Sequence, residues 1–235
     1  MRTLGLLGGM SWHSTIDYYR VLNEQAAAAL GGHASAPITL QSVDFSRIRA
    51  LQVAEDWDGA GRLLAEAARR CEASGADALL ICTNLMHRVA DAVEDAVDLP
   101  LLRITDAIAA RALAEGHRTV GLLGTRWTME EDFYVGRLRA AGLEVVVPDA
   151  AARAEVDRII FEELTRGVVS APSAAIYRGL LHDLAADGAQ AVVLGCTEIQ
   201  LLVGAADSPV PLLDSMRVHA EAAAAWALDG VLAAV

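Results

Sequence analysis

The chain alternates short apolar runs with longer stretches in which apolar residues recur every three or four positions. A short apolar run closed by glycine or polar residues is typical of a buried strand, whereas the wider spacing is typical of a helix. Strands are therefore predicted at residues 4–7, 38–43, 78–82, 100–104, 118–124, 143–147, 191–194 and 210–213. Helices are predicted at residues 15–30, 56–74, 86–97, 106–114, 151–165, 172–186 and 215–232, with one more between 125 and 142. Strands that alternate with helices in this way predict parallel sheets.

The second half of the chain repeats the first in the same order and at a nearly constant offset, which indicates an internal duplication. The matched pairs are residues 2–8 with 118–124, 75–81 with 188–194, and 99–102 with 210–213. The predicted fold class is therefore α/β, with two pseudo-symmetric, Rossmann-like parallel-sheet domains. The first domain is expected to comprise residues 1–104 and 215–235, closed by the C-terminal helix, and the second residues 105–214.

Small or polar residues follow several of the predicted strands. Gly9, Asn84, Thr125 and Thr197 each come just after one. In parallel α/β sheets, ligands bind outside the carboxyl ends of the strands. If the two halves face each other about a pseudo-twofold axis, these ends converge on one cleft, where we expect the active site.

The duplication singles out two side chains with nucleophilic atoms. Overlaying the matched segments without a gap places Thr83 opposite Cys196 and Asn84 opposite Thr197. Neighbouring residues at a strand end point to opposite faces, so Cys82 is expected to be a core residue while Thr83 enters the cleft. We therefore predict that Thr83 and Cys196 are the catalytic pair.

Composition removes several classes of function. With a net charge of −12, the protein is not expected to have the basic surface that nucleic-acid binding requires. All 19 basic residues are arginine, so no lysine is present to form a Schiff base with pyridoxal phosphate. No apolar run approaches the roughly 20 residues of a membrane span, and no secretory signal is seen. Three cysteines fit a reducing compartment, so a cytoplasmic location is expected, with Cys71 structural.

The first strand is followed by a glycine turn. Residues 5–11 read Gly-Leu-Leu-Gly-Gly-Met-Ser, which lacks the spacing of a dinucleotide-binding loop. Two interpretations stay open for this segment. It is either a purely structural strand-to-helix turn or a turn whose amides also bind a substrate carboxylate.

Five ordered motifs resemble the aspartate/glutamate racemase family and together span nearly the whole chain. They are Gly-Leu-Leu-Gly-Gly-Met-Ser-Trp at 5–12, Cys-Thr-Asn-Leu-Met-His at 82–87, Leu-Gly-Thr-Arg-Trp-Thr-Met-Glu at 123–130, Ile-Ile-Phe-Glu-Glu-Leu at 159–164 and Gly-Cys-Thr-Glu-Ile at 195–199. The resemblance implies a homodimer of two-domain subunits that uses no cofactor or metal. It also implies a dicarboxylic amino acid as substrate, bound between the domains, with two bases acting on opposite faces of its α-carbon.

The chain departs from the family pattern at two positions. Thr83 stands where many members have the first catalytic cysteine, as in a bacterial subgroup that resembles enzymes preferring L-aspartate and L-glutamate. Leu85 replaces a threonine that helps to hold the substrate's α-carboxylate, which leaves the natural substrate open. A threonine hydroxyl is a far weaker acid than a thiol, whose pKa of about 8.5 can be lowered locally. We therefore expect an asymmetric enzyme in which Cys196 is the thiolate base on the L-substrate and Thr83 serves the opposite face.

The resemblance and the strand-end positions together give a set of substrate-binding residues. They are Met10, Ser11, Asn84, Leu85, Thr125, Arg166, Thr197 and Glu198. Arg166 is the expected partner of the side-chain carboxylate, since some relatives carry a basic residue there, and Arg47 or Arg49 is the alternative. His87 is interpreted as a structural group.

Other functions stay open at this point. One is a maleate-isomerase-like or decarboxylase-like use of the cysteine within the same superfamily. Leu85 is compatible with it, because Leu85 replaces a residue that helps to hold the substrate's α-carboxylate. A two-lobed binding protein without catalysis is another. A cysteine hydrolase is disfavoured because no histidine is placed by a motif beside Cys196.

Overall fold

The computed structural model of this protein describes residues 1–229. By its internal contacts the chain divides into two units. The first comprises residues 1–104 with the segment from His219 onward, and the second is the continuous stretch 105–218. Residues 230–232, the predicted end of the last helix, lie outside the described residues. Within residues 1–229, no helix is long and apolar enough to cross a lipid bilayer.

The first unit is built on a three-stranded parallel sheet with β1 at its centre, flanked by β2 and β3. The strands are β1 (Leu4–Gly8), β2 (Ile38–Ser42) and β3 (Ala78–Ile81). Between residues 1 and 104, the helices of this unit are α1 (Trp12–Leu30), α2 (Phe45–Val53), α3 (Trp57–Ala73) and α4 (Ala90–Glu94), with a 3₁₀ helix at Leu85–Val89. Strands β1 and β3 are buried along their whole length, as their continuous apolar sequences predict.

Helix α3 shows how the pattern produces the packing. Asp56 caps it, its carboxylate accepting a hydrogen bond from the Gly59 amide at 2.8 Å. Leu64, Ala68 and Cys71 lie on one face at helical spacing and are fully buried in the core. The cap fixes where the helix begins, and the apolar face holds it against the sheet.

The strand predicted at residues 100–104 is not formed. Only Leu101 bridges the sheet, beside Leu79 of β3. The next backbone groups bond to buried histidines instead. The Leu102 carbonyl accepts from His219 at 2.7 Å, and the Ile104 amide donates to His87 at 3.1 Å. The chain then turns into a helix because its ladder partners have been replaced by side chains.

The second unit contains a four-stranded parallel sheet in the order β5-β4-β6-β7. Its strands are β4 (Thr119–Gly124), β5 (Glu144–Val146), β6 (Ala191–Gly195) and β7 (Leu212–Asp214). The remaining helices are α5 (Ile104–Ala114), α6 (Arg126–Glu130), α7 (Val135–Ala140), α8 (Ala150–Glu162), α9 (Ala171–Ala186) and α10 (Ser215–Leu228), with 3₁₀ helices at Leu164–Arg166, Ile199–Leu201 and Ala205–Asp207.

The two sheets repeat one plan. The order β2-β1-β3, extended by the Leu101 bridge, corresponds strand for strand to β5-β4-β6-β7. All pairings are parallel, which confirms the predicted α/β class with two parallel sheets. Helix α2 was missed by the sequence pattern, and the single helix predicted at 86–97 is a 3₁₀ turn followed by the short α4.

Candidate active site

In the first unit, two predicted site segments lie at the same edge of the sheet. Strands β1 and β3 are parallel neighbours, with Leu7 beside Ile81, so the segments that follow them leave from adjacent strand ends. Met10 and Ser11 follow β1, and Thr83 to Leu85 follow β3. Thr83 is half-buried, whereas the other four residues are buried.

The turn after β1 is held tightly by its own groups. The Gly9 amide donates to Thr15 Oγ1 at 2.9 Å, and the Thr15 hydroxyl donates to the Ser11 carbonyl at 3.0 Å. Gly9 has a φ of +89°, and a Cβ there would lie 2.2 Å from the Val43 carbonyl oxygen. Only glycine fits this backbone, so the structural interpretation of the turn holds for Gly9 itself. Of the glycine turn, Met10 and Ser11 remain the candidates for substrate binding.

Of the two residues after β3, Cys82 lies in the core, as predicted, and Thr83 is half-buried. Cys82 is fully buried, and burial raises the pKa of its thiol. The Thr83 carbonyl accepts a hydrogen bond from Nδ1 of His87 at 2.9 Å. The Thr83 turn is thus fixed from within the first unit.

In the second unit, β4 and β6 are parallel neighbours, with Gly124 beside Gly195. Thr125 follows β4 and caps α6, its Oγ1 accepting from the Thr128 amide at 3.3 Å. A second hydrogen bond of 2.9 Å joins the Thr125 and Thr128 hydroxyls. The Thr125 hydroxyl therefore has a structural role in the helix cap, beside its predicted role toward substrate.

Cys196 follows β6 and is joined to a buried carboxylate. Its Sγ donates to Oε2 of Glu198 at 3.3 Å, and the Thr197 hydroxyl donates to the same oxygen at 2.7 Å. Glu198 is only 7% exposed. The carboxyl end of β6 is held by Ser215, whose hydroxyl donates to the Leu194 carbonyl at 2.6 Å.

These surroundings raise the pKa of Cys196 well above its ordinary value. The main cause is burial of the thiol, followed by the negative charge of Glu198 and, more weakly, that of Asp157. The thiol is therefore protonated at rest. A mechanism that uses the Cys196 thiolate therefore requires a proton acceptor for this thiol.

The structure places the candidate arginines differently from the residues at the strand ends. Arg166 is exposed at the end of the 3₁₀ helix Leu164–Arg166, and Arg47 is exposed on α2. Arg49 is half-buried, and its NH1 donates to Gln52 at 3.4 Å. None of the three directly follows a strand.

Two groups near Cys196 escaped the sequence analysis. The half-buried Asp157 of α8 accepts from the Arg126 amide at 2.8 Å. The phenol of Tyr177 is buried, and its pKa is raised well above the usual value by burial and by Cys196. Both lie on helices far from Cys196 in sequence, so no motif or spacing indicates them.

Comparison with known proteins connects this chain to one protein family. A family model described as Asp/Glu/hydantoin racemase matches residues 7–223. A structure from Yersinia pestis, proposed to be an Asp/Glu racemase, is 50% identical with a TM-score of 0.92, over 97% of this chain and 100% of that one. An aspartate racemase homologue from Pyrococcus horikoshii OT3 is 34% identical with a TM-score of 0.83, again over 97% and 100%. Glutamate racemase from Francisella tularensis in complex with D-glutamate shares the fold, at 16% identity and a TM-score of 0.66, over 98% and 82%.

Proposed function

The chain belongs to the Asp/Glu/hydantoin racemase family, and we propose that it is a cofactor-independent racemase of aspartate or glutamate. The observation that carries the proposal is the thiol of Cys196 at the end of a buried strand, hydrogen-bonded to the carboxylate of Glu198. An amino acid racemase needs a base beside the α-carbon and a group that removes the proton from that base. A thiol paired with a proton acceptor supplies both.

In the proposed reaction, Glu198 Oε2 takes the proton of Cys196, and the thiolate removes the α-proton of the L-substrate. The C–H bond breaks, an S–H bond forms, and the electron pair is left on the α-carbon and its carboxylate. Thr83 then gives its hydroxyl proton to the opposite face, which forms the D-product. The cycle closes when Glu198 releases its proton to solvent and Thr83 regains one, which restores the Cys196 thiol, the Glu198 carboxylate and the Thr83 hydroxyl.

Hydrogen-bond donors must stabilise the carbanion, because no cofactor takes up its charge in this proposal. We assign this role to Asn84, Thr197 and Thr125, with the backbone at Met10 and Ser11. Leu85 lines the same turn after β3. The exposed Arg166 is our first choice for the side-chain carboxylate, and Arg47 or Arg49 is the alternative.

The proposal is tested by proton NMR of L- and D-aspartate and glutamate in D2O, without added cofactor. The wild-type protein is expected to remove the α-proton signal, faster for the L-enantiomers. Cys196→Ser should slow this exchange at least about a hundredfold, because it removes the base. Cys82→Ala is the matched control, and it should stay near the wild-type rate because this cysteine lies in the core.

Two results would contradict the assignment. Full exchange by Cys196→Ser would exclude Cys196 as the base. No exchange of any of the four amino acids by the folded, reduced wild type would exclude the racemase, and other diacids such as maleate would then be the next substrates to test. The family resemblance further leads us to propose a cytoplasmic homodimer, which sedimentation equilibrium would test for its oligomeric state.

A further inference from the structure

A buried histidine supports the turn that carries Thr83. His87 is 3% exposed and uses both ring nitrogens. Nδ1 lies 2.9 Å from the Thr83 carbonyl oxygen, and Nε2 lies 3.1 Å from the Ile104 amide nitrogen. A carbonyl can only accept and an amide N–H can only donate, so Nδ1 carries the proton and Nε2 does not. The two backbone partners thus fix one neutral tautomer.

The surroundings keep this ring neutral. Burial, helped by the nearby His219, lowers the pKa of His87 to about 3. The His219 ring lies 5.9 Å away and is itself held, since its Nε2 donates to the Leu102 carbonyl and its Nδ1 accepts from the Tyr18 hydroxyl, each at 2.7 Å. His87 therefore keeps the same hydrogen bonds across the working pH range.

The backbone at Thr83 depends on this ring because the sheet no longer holds it. Strand β3 ends at Ile81, two residues before Thr83, whose carbonyl is bonded to His87. Ile104 begins α5, where the first amides of a helix have no partner inside the helix. One imidazole thus satisfies both groups and joins the Thr83 turn to the start of α5.

We infer that His87 is a positioning residue for Thr83, which holds the Thr83 backbone so that its hydroxyl meets the α-carbon in one place. The inference rests on the proposed function, in which Thr83 returns the proton. Loss of the hydrogen bond frees the turn, and a displacement of about 1 Å at a reacting group can cost about a hundredfold in rate. Inversion should then fail while the Cys196 step continues.

The test separates the two half-reactions. Deuterium incorporation into the L-substrate reports proton removal by Cys196, and formation of the D-enantiomer reports delivery by Thr83. In His87→Leu, we expect D-product formation to fall at least about tenfold relative to deuterium incorporation. His87→Gln should behave similarly, because its amide reaches the Nε2 position and not Nδ1. His87→Asn should keep the wild-type ratio, because its amide nitrogen occupies the Nδ1 position and can donate to Thr83.

Tyr18→Phe serves as the matched control, since it removes a hydrogen bond from the same buried cluster without touching Thr83. It should lower the melting temperature and leave the ratio unchanged. A folded His87→Leu protein in which both half-reactions fall by one factor would overturn the inference. The inference would also be overturned if the ratio of D-product formation to deuterium incorporation in His87→Asn matched the ratio in His87→Leu.

Failure of the racemase proposal would be recognised separately. If the wild type exchanges none of the four amino acids, nitrogen-15 NMR of the histidine rings still tests the geometry. The expected result is His87 protonated at Nδ1 at neutral pH, with the Thr83 amide resonance shifted in His87→Leu and much less in His87→Asn. An Nε2-protonated or charged ring, or equal shifts in the two variants, would overturn the positioning role.

Discussion

At the scale of single residues, Glu198 decides how Cys196 can act. We predict that Glu198→Gln lowers racemisation of L-substrates by about two to four orders of magnitude near pH 7, because the thiol loses its proton acceptor. The remaining rate should rise with pH until the thiol ionises to solvent, about tenfold per unit. The wild-type rate should be flatter over the same range. Measurement of kcat/KM for the L-substrate between pH 6 and 10 checks this.

The same variant should change the thiol itself in a defined direction. The charge of Glu198 raises the pKa of Cys196, so a neutral glutamine should lower that pKa. The pH midpoint of iodoacetamide alkylation should therefore shift downward, while activity falls. Glu144→Gln, at an exposed position on β5, is the control and should change neither quantity. An unchanged alkylation midpoint would show that Glu198 does not act on the thiol.

Apart from Arg166, the candidate site residues that the sequence indicated lie in the segments that follow strands. Thr83 and Cys196 were indicated by the duplicated apolar runs, whose carboxyl ends are visible in the pattern. Asp157 was missed because its approach to Cys196 depends on how α8 packs. His87 was given only a structural role, because its bond to Ile104 joins segments separated in the sequence.

At the scale of elements, the turn from β1 into α1 is set by one glycine. We predict that Gly9→Ala destabilises the protein by about 2–5 kcal/mol. About 1–2 kcal/mol comes from the positive φ, and about 1–3 kcal/mol comes from contact between the new methyl group and the Val43 carbonyl. Urea denaturation measures the loss.

Gly75→Ala separates the two causes. Gly75 has a similar φ of +84°, but no atom lies within 4 Å of the position of a Cβ. This variant should lose only the backbone part, about 1–2 kcal/mol. Equal losses in the two variants would mean that the close approach to Val43 is absent.

Elements with continuous apolar sequence were predicted to within a few residues, and elements held by side chains were not. β1 and β6 are buried on both faces, so their sequences carry the signal themselves. Residues 100–104 have the composition of a strand, but two histidines take the backbone groups that a ladder needs. Helix α2 has few buried residues, so its pattern is weak.

At the scale of the whole molecule, the chain leaves the first unit and later returns to it. The returning helix α10 is hydrogen-bonded to the rest of that unit at Arg2, Tyr18 and Leu102. The Arg2 amide donates to the Ala227 carbonyl at 2.9 Å, the Arg2 guanidinium donates to the Trp226 carbonyl at 2.8 Å, and the Tyr18 hydroxyl donates to His219. The second unit is one continuous stretch of the chain, residues 105–218.

We therefore predict that residues 105–218 expressed alone fold cooperatively, whereas residues 1–104 alone do not. Without its returning helix, the fragment 1–104 exposes apolar surface and leaves Tyr18 without its histidine. Joining residues 1–104 to 219–235 through a short Gly-Ser linker should restore folding, because His219 lies within hydrogen-bond distance of Leu102. Thermal unfolding followed by circular dichroism, with amide NMR spectra, distinguishes the three proteins. Cooperative unfolding of 1–104 alone would show that α10 is dispensable, and an unfolded 105–218 would show that the continuous unit depends on the rest of the chain.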